Sequence, residues 1–499
     1  MSDNYGELSA TGLKKKAVKG AGINVVTQFL NFIFHFIGVI ILARLLTPKD
    51  FGLVAMVTAF SLLPMNFGLN GFSEYIQQRQ TISSKEINSI FWVHFFIASF
   101  FALGFVVFGY FLVDFYSEPA LSSISAAFAS SFILVALFTT PRALLRREMK
   151  FASIAVVDLV TGILSVIFSI LVALAGMSYW AVVTRQLMIP VLIAIATWFT
   201  LSWRPGRPQN LSAAIPGLKF AVKVYGNFSI DYFTKSFDRM LLGKFHGSAI
   251  LGNYERAYHL SSMPAQQIIF PLTTVALSTL SRLRDDRERY FQYYTKAVSM
   301  VAFIGTLAAV VLMLSSRDLV PLLLGPGWTE TGEILMAFSP GIAAMLVYAT
   351  ISWLHLSLGT PGRWLRWNIL ATIVTVVFFA AAAPFGALAM AASVSLVKFI
   401  LVLPGLWYAG RPIEMNIAAL LRSIMPYFLA GILASAIWLS LPLIWPYFNV
   451  LYDHLSLFSR VLMIVVIIPL LYIGIVVILQ RSFSSIYELV DLVKIFLKR

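Results

Sequence analysis

Apolar runs of about twenty residues, each closed by a short polar turn, recur along nearly the whole chain, and no other feature limits its fold as strongly. They begin near Gly22, Phe51, Ser89, Leu121, Ile154, Tyr179, Phe220, Ala249, Ala297, Ile334, Leu365, Phe385, Leu420 and Leu457, fourteen in all. The runs are continuous, so they predict helices and exclude a transmembrane barrel, whose strands alternate over about ten residues. With 59% hydrophobic and only 12% charged residues among 499, the chain is excluded as a soluble enzyme and reads as an all-α polytopic membrane protein. Cysteine is absent, which removes disulfides, thiolate metal sites and thiol nucleophiles. The first run follows Lys14, Lys15, Lys16 and Lys19 but continues to Leu46 without a small-residue cleavage site, so it predicts a spanning helix and not a signal peptide.

The excess of 37 Lys and Arg over 22 Asp and Glu resembles a nucleic-acid binder until the loops are separated by side. With the N-terminus in the cytoplasm, the inside loops hold 26 basic residues and the outside loops only Lys49, Lys244 and Arg317. That asymmetry predicts both termini in the cytoplasm, an even number of crossings and no nucleic-acid partner. Anionic lipid is a secondary partner for the basic loops.

The chain also resembles itself. Residues 41–52, ILARLLTPKDFG, lie over 241–252, LLGKFHGSAILG, at an offset of 200, with Arg44 over Lys244 and Gly52 over Gly252. Thr140-Pro141-Arg142 has its counterpart in Thr360-Pro361-Gly362-Arg363, and residues 116–119 in residues 324–328. Six helices separate the copies, so they predict a parallel repeat framing a central cavity. The expected organisation is an N-terminal lobe over 1–201 and a basic, proline-containing linker over 202–219. A C-terminal lobe over 220–412 follows, with two appended helices and a tail over 413–499.

Ionisable groups inside a bilayer cost about 2.5–3.5 kcal/mol each and are functional candidates by default. The seventh run places Asp231, Lys235 and Arg239 at i, i+4 and i+8, with Asp238 three residues after Lys235. The first run carries a neutral counterpart in Asn24, Gln28, Asn31 and His35. Asp158, Arg185, Arg256, His259 and Lys398 are further lumen candidates, and Arg142, Arg146, Arg147, Arg363 and Arg366 form a basic set at the inner mouth. Lys235, Arg239, Arg256, Arg185 and Lys398 outweigh the acids, so the interior is expected to bind an anion, while Asp231, Asp238, Asp158 and His35 are candidates for proton or cation coupling. The plainer readings are an Asp231–Lys235 pair that neutralises itself, hydrogen-bonded histidines at 35, 94 and 355, topology signals for the inner-mouth arginines, and packing for Tyr225, Tyr232, Tyr254 and Tyr258. Phosphate-loop, His-Glu-x-x-His and Gly-x-Ser-x-Gly motifs are missing, and the outer acids Asp114, Glu118, Glu330 and Glu333 are scattered, so neither a metal site, a cofactor nor an enzyme is expected.

Several motifs in order complete the reading: LARLLTPKDFGLVAM at 42–56, PRALLRREMKF at 141–151, DRMLLGKF at 238–245 with LGNYERAY at 251–258, LSRLRDDRER at 280–289 and LGTPGR at 358–363. Together they resemble the Wzx-type polysaccharide transport family, in the branch of colanic-acid and xanthan-type exporters, from about Gly20 to about Pro412. The resemblance implies a flippase that carries undecaprenyl-pyrophosphate-linked oligosaccharide across a bacterial inner membrane by alternating access, beside polysaccharide polymerase and export machinery. It implies no cofactor and leaves coupling to H⁺, Na⁺ or the membrane potential open. Asp238, Arg256 and Tyr258 fall within its motifs, whereas Asp231 and Lys235 rest on burial and repeat logic alone. A cation-coupled drug antiporter of the same fold would favour an acidic lumen, and a membrane-embedded glycan polymerase or transferase would depend on outer acids such as Glu118 or Glu330.

Overall fold

The computed structural model describes residues 10–481 apart from Gly68, Asn70 and Gln209, with side chains from Val26 onward except those of Asn227, Ile230, Asp231 and Pro271. The side chains of Lys14, Lys15, Lys16, Lys19, Asn24 and Asp231, and the whole of Lys494, Lys498 and Arg499, thus lie outside the described residues.

Among the described residues the chain is helical and has no strand. The helices are α1 (Ala10–Leu45), α2 (Pro48–Met65), α3 (Phe72–Gln78), α4 (Ser84–Tyr116), α5 (Ala120–Arg147), α6 (Phe151–Leu174), α7 (Trp180–Thr200), α8 (Ile215–Arg282), α9 (Arg287–Leu324), α10 (Thr329–Ala349), α11 (Ile351–Ser357), α12 (Pro361–Ala382), α13 (Ala387–Gly410), α14 (Ile417–Ile444), α15 (Tyr447–His454) and α16 (Leu457–Gln480). Eleven of the described segments are long and apolar enough to cross a membrane. The other three expected runs are also helical: one is α2, and the remaining two are the arms of α8 on either side of Gly247. Gly247 breaks α8 because its φ of 77° lies in the left-handed region that side-chain-bearing residues avoid. The short helices α3 and α15 fall between the expected runs, while α11 continues α10 to the end of the span Pro326–Ser357.

Local chemistry sets the ends. At the start of α2 the Asp50 carboxylate accepts from the Thr47 backbone N–H at 2.8 Å and from its hydroxyl at 2.7 Å, while Pro48 occupies the first turn, where its missing donor costs nothing. Ser83, Asp286, Asn416 and Ser456 cap α4, α9, α14 and α16 by accepting a backbone N–H three residues on.

The chain divides into two compact units, Met1–Gly252 and Asn253–Arg499. In the first, α5 packs against α2, α3, α4 and α7, and α6 lies between α1 and α7. In the second, α10 packs between α9 and α13, α12 lies on α13, and α14 and α16 lie together on α9. Small residues bring the α14 and α9 backbones close: a Cβ on Gly431 would fall 2.5 Å from Thr306 Cγ2. The Tyr472 hydroxyl of α16 donates to the Phe303 carbonyl of α9 at 3.1 Å.

Candidate functional site

Within the first unit the polar residues of α1 meet partners on α6 and α7. A Cβ on Gly162 would fall 2.4 Å from Asn31 Oδ1, so the Asn31 amide occupies the space left by a missing side chain on α6. One helical turn on, Arg185 of α7 approaches His35 Nδ1 at 2.7 Å, which makes that ring nitrogen the acceptor. His35 and Gln28 are exposed.

Arg142 and Asp158, which sequence position assigns to different roles, are brought together. One guanidinium nitrogen of Arg142 donates to both carboxylate oxygens of Asp158, at 2.7 and 2.6 Å, joining α5 to α6. The side chains are 14% and 34% exposed, so each ion is substantially withdrawn from solvent and depends on the other. Arg146 lies half-buried beside this pair. Arg147 turns the other way and donates to the carbonyls of Ile76 at 2.9 Å, of Arg79, and of Gln80 at 2.7 Å. These carbonyls end α3, so Arg147 is the cap that a seven-residue helix cannot supply from its own backbone. Nearby, the Tyr75 hydroxyl donates to Glu86 at 2.8 Å and accepts from Arg79 at 3.0 Å. Burial and the Glu86 hydrogen bond push the Tyr75 phenol above its ordinary value against the pull of Arg79.

The arm of α8 before Gly247 carries the seventh-run candidates. It is fastened to α2, to the turn after it and to α4 by Tyr232 donating to the Thr58 carbonyl at 2.8 Å, Tyr225 edge-on to Phe67 at 4.9 Å, and Lys244 donating to the Phe115 carbonyl at 2.6 Å. Asp238 is buried and accepts from the Arg239 backbone N–H at 2.8 Å, Arg239 is half-buried, and Lys235 is exposed. Tyr225 and Tyr232 therefore pack this arm in place. Beyond the break, the Glu118 carboxylate accepts from Ser248 Oγ at 2.7 Å and stands 3.9 Å from Lys49.

In the second unit, Arg256 is half-buried and His259 lies 3.2 Å from Glu255 one turn before it. Tyr254 and Tyr258 both pack on Phe338, with ring centroids at 5.0 and 5.8 Å. Glu330 accepts from Asn253 Nδ2 at 2.7 Å. Lys398 stands over the Tyr348 ring at 4.8 Å, and Arg363 over the Tyr408 ring at 4.3 Å while donating to the Tyr408 carbonyl at 2.6 Å. Arg366 is exposed. His94 is buried against Phe72 and its Nδ1 has no hydrogen-bond partner among the described residues, whereas His355 Nδ1 lies 3.0 Å from Thr360 Oγ1 and its Nε2 is left unbonded among them, so the expected hydrogen bonding is found only at one nitrogen of His355. No cluster of His, Asp and Glu among the described residues has metal-binding geometry. Glu118 and Glu330 are thus engaged in holding the start of the second arm of α8, a role their scatter in sequence did not suggest.

The profile of the polysaccharide biosynthesis protein family matches residues 41–333, more than half of the chain. The chain belongs to that family. Among its relatives is the lipopolysaccharide biosynthesis protein WzxC of Escherichia coli (strain K12), 23% identical over 65% of this chain. The match spans 66% of that relative's length, just under two thirds. The succinoglycan biosynthesis transport protein ExoT of Rhizobium meliloti (strain 1021) is 24% identical over 66% of this chain and 67% of its own. Among solved structures, the lipid II flippase MurJ in an inward closed conformation superposes with a TM-score of 0.72 and 13% identity over 92% of this chain and 98% of its own. An inward-facing multidrug transporter of the MATE family of the MOP superfamily gives a TM-score of 0.61 and 14% identity over 81% of this chain and 99% of its own. This member of the polysaccharide biosynthesis protein family is therefore a multi-pass membrane protein with the fold shared by those transporters. The family match covers the repeat motifs at 41–52 and 241–252, the Arg142–Asp158 pair and the whole seventh run.

Proposed function

We propose that this protein is a flippase for lipid-linked oligosaccharide, moving polyprenyl-pyrophosphate-linked repeat units from the cytoplasmic to the outer leaflet of a bacterial inner membrane by alternating access. The observation that carries the reading is the family match across 41–333, with relatives named for polysaccharide biosynthesis and transport and a fold shared with a lipid II flippase. Lys235 and Arg239 on α8 receive the pyrophosphate, as cations one turn apart suit a doubly charged anion. The sugars travel in water, the polyprenyl tail stays in lipid, and no covalent step occurs.

The charge asymmetry of the loops supports cytoplasmic termini. Exporting two negative charges from an inside-negative cell runs down the potential and releases about 2.3 kcal/mol per charge per 100 mV, or about 4.6 kcal/mol per event at 100 mV. The potential therefore supplies a driving force without a nucleotide. Asp231, Asp238, Asp158 and His35 are the coupling candidates if an ion is exchanged, with Asp158 paired to Arg142 and His35 bonded to Arg185.

The test is translocation in proteoliposomes. A labelled polyprenyl-pyrophosphate oligosaccharide is placed in one leaflet and its arrival in the other is followed with a membrane-impermeant glycosidase. Protein-dependent exposure of unchanged sugar supports the flippase. No exposure under an imposed potential, with uptake of organic cations instead, moves the reading to a drug antiporter, and a lengthened or transferred glycan moves it to an enzyme of glycan assembly.

A further inference from the structure

The eight residues of α15 join α14 to α16, and two opposite faces of this helix are apolar. On the inner face Phe448 is 9% exposed, edge-on to Trp438 at 5.8 Å and stacked on Tyr452 at 5.6 Å. The Tyr452 hydroxyl donates to Asp318 Oδ2 at 2.6 Å, and Asp318, near the end of α9, is 8% exposed. Arg460 of α16 stands 3.5 Å from the other Asp318 oxygen, donates to the carbonyls of Asp453 at 2.8 Å and Leu455 at 3.1 Å, and lies over the Tyr452 ring at 5.0 Å. A buried carboxylate, a phenol and a guanidinium thus clamp the helix from α9 and α16. The cation also sits at its C-terminal carbonyls, where the helix dipole favours positive charge.

The opposite face is exposed and apolar. Tyr447, Val450 and Leu451 stand at i, i+3 and i+4 with exposures of 73%, 56% and 51%. Because the clamp fixes the inner face, the helix cannot roll to hide them, and a patch of this kind needs a cover. Leu443 and Ile444, 85% and 75% exposed, end α14, a helix long and apolar enough to cross a membrane, three residues before Tyr447. Residues 443–452 carry no charge, so nothing on the face would recognise an ionic partner, and its aromatics are the types that settle at the edge of a bilayer.

We propose that α15 is an interfacial helix, immersed with its Tyr447, Val450 and Leu451 face in the headgroup and acyl boundary of the leaflet where α14 ends, and held at that depth by the Asp318–Tyr452–Arg460 clamp. The occupant of the exposed face is lipid, as the uncharged stretch 443–452 that carries it follows directly in the chain on the exposed apolar end of α14, a helix fit to cross the bilayer. The polar edge of Asp453 and His454 faces water.

The absence of cysteine makes the test direct. Val450→Cys and Asp453→Cys are each spin-labelled, reconstituted in phosphatidylcholine and phosphatidylglycerol vesicles, and compared for collision with oxygen, which concentrates in lipid, and with a water-soluble nickel chelate. The label at 450 should meet oxygen several-fold more often than nickel, and the label at 453 the reverse. Nickel access at 450 equal to that at 453 would overturn the proposal in favour of an aqueous face, and shielding from both reagents would overturn it in favour of a protein partner or a second copy. In the Val450→Cys background, Tyr452→Phe and Asp318→Asn should each reduce the oxygen-to-nickel contrast and mobilise the label. If the contrast is unchanged in the variant that elutes as a monodisperse protein, the clamp is not what sets the depth.

Discussion

Gly52 and Gly252 face one another reciprocally. A Cβ on Gly52 would fall 1.7 Å from the Ser248 carbonyl oxygen, and a Cβ on Gly252 would fall 1.8 Å from the Pro48 carbonyl oxygen. Pro48 and Ser248 are separated by the same 200 residues as the two glycines, so the contact is its own mirror in the internal repeat. Two helix starts meet backbone to backbone, at a distance that only a residue without a side chain permits. The Gly252 Cβ would also lie 3.1 Å from the Gly52 nitrogen, so the two positions share one contact.

Gly52→Ala should therefore force backbone against backbone, with no flexible side chain to yield. The expected cost is about 1–3 kcal/mol of overpacking, read as an earlier thermal unfolding midpoint in detergent. Gly104→Ala is the matched control, since a Cβ there meets nothing within 4 Å. Equal midpoints for the two variants would mean that the close contact is absent in the protein in solution.

Arg147→Ala should release the end of α3 by removing three charge-assisted bonds to carbonyls. Each such bond contributes about 1.5–3 kcal/mol in favourable cases. Hydrogen exchange over residues 72–80 should accelerate while exchange in α5 stays slow. Arg147→Lys should restore little, because an ammonium lacks the planar fork that reaches several carbonyls at once.

Arg142→Ala and Asp158→Asn should each destabilise, as either leaves its partner half-buried and uncompensated. The effect is expected to be about 1–3 kcal/mol, smaller than for a fully buried pair given exposures of 14% and 34%. Arg142→Ala with Asp158→Asn should lose less than the sum of the single changes. Additive losses in a double-mutant cycle of unfolding midpoints would count against coupling.

Lys235→Ala and Arg239→Ala together should cut translocation of the pyrophosphate-linked sugar by tenfold or more, since about 1.4 kcal/mol per lost charged contact suffices for each factor of ten. The variant protein should still enter the membrane at the normal level, because Tyr232 still ties the arm to α2, Tyr225 to Phe67 just beyond it, and Lys244 to α4. Normal translocation by the double variant would remove these cations from the binding site. Neutral-headgroup lipid scrambled at the same rate by both proteins would show that the assay reads leakage.

The sequence by itself determined that the chain is a bundle of spanning helices, because continuous apolar runs of about twenty residues satisfy their backbone only as helices in lipid. Every expected run, including the polar seventh at α8, lies in a helix, and the glycine pair at 52 and 252 is visible as two letters at equal positions in a repeat. What only the tertiary structure decided is who meets whom. Arg142, Arg146 and Arg147 read as one basic group at the end of a helix, yet Arg142 pairs with Asp158, Arg147 caps α3, and Arg146 does neither. The clamp on α15 is equally hidden, because Asp318, Tyr452 and Arg460 are more than a hundred residues apart at their widest and share no periodicity. Hydropathy and helical period act between neighbours in the chain, so the sequence carries them openly. The partner of a charged side chain depends on which helices touch and at what height, and that is fixed only when the helices pack.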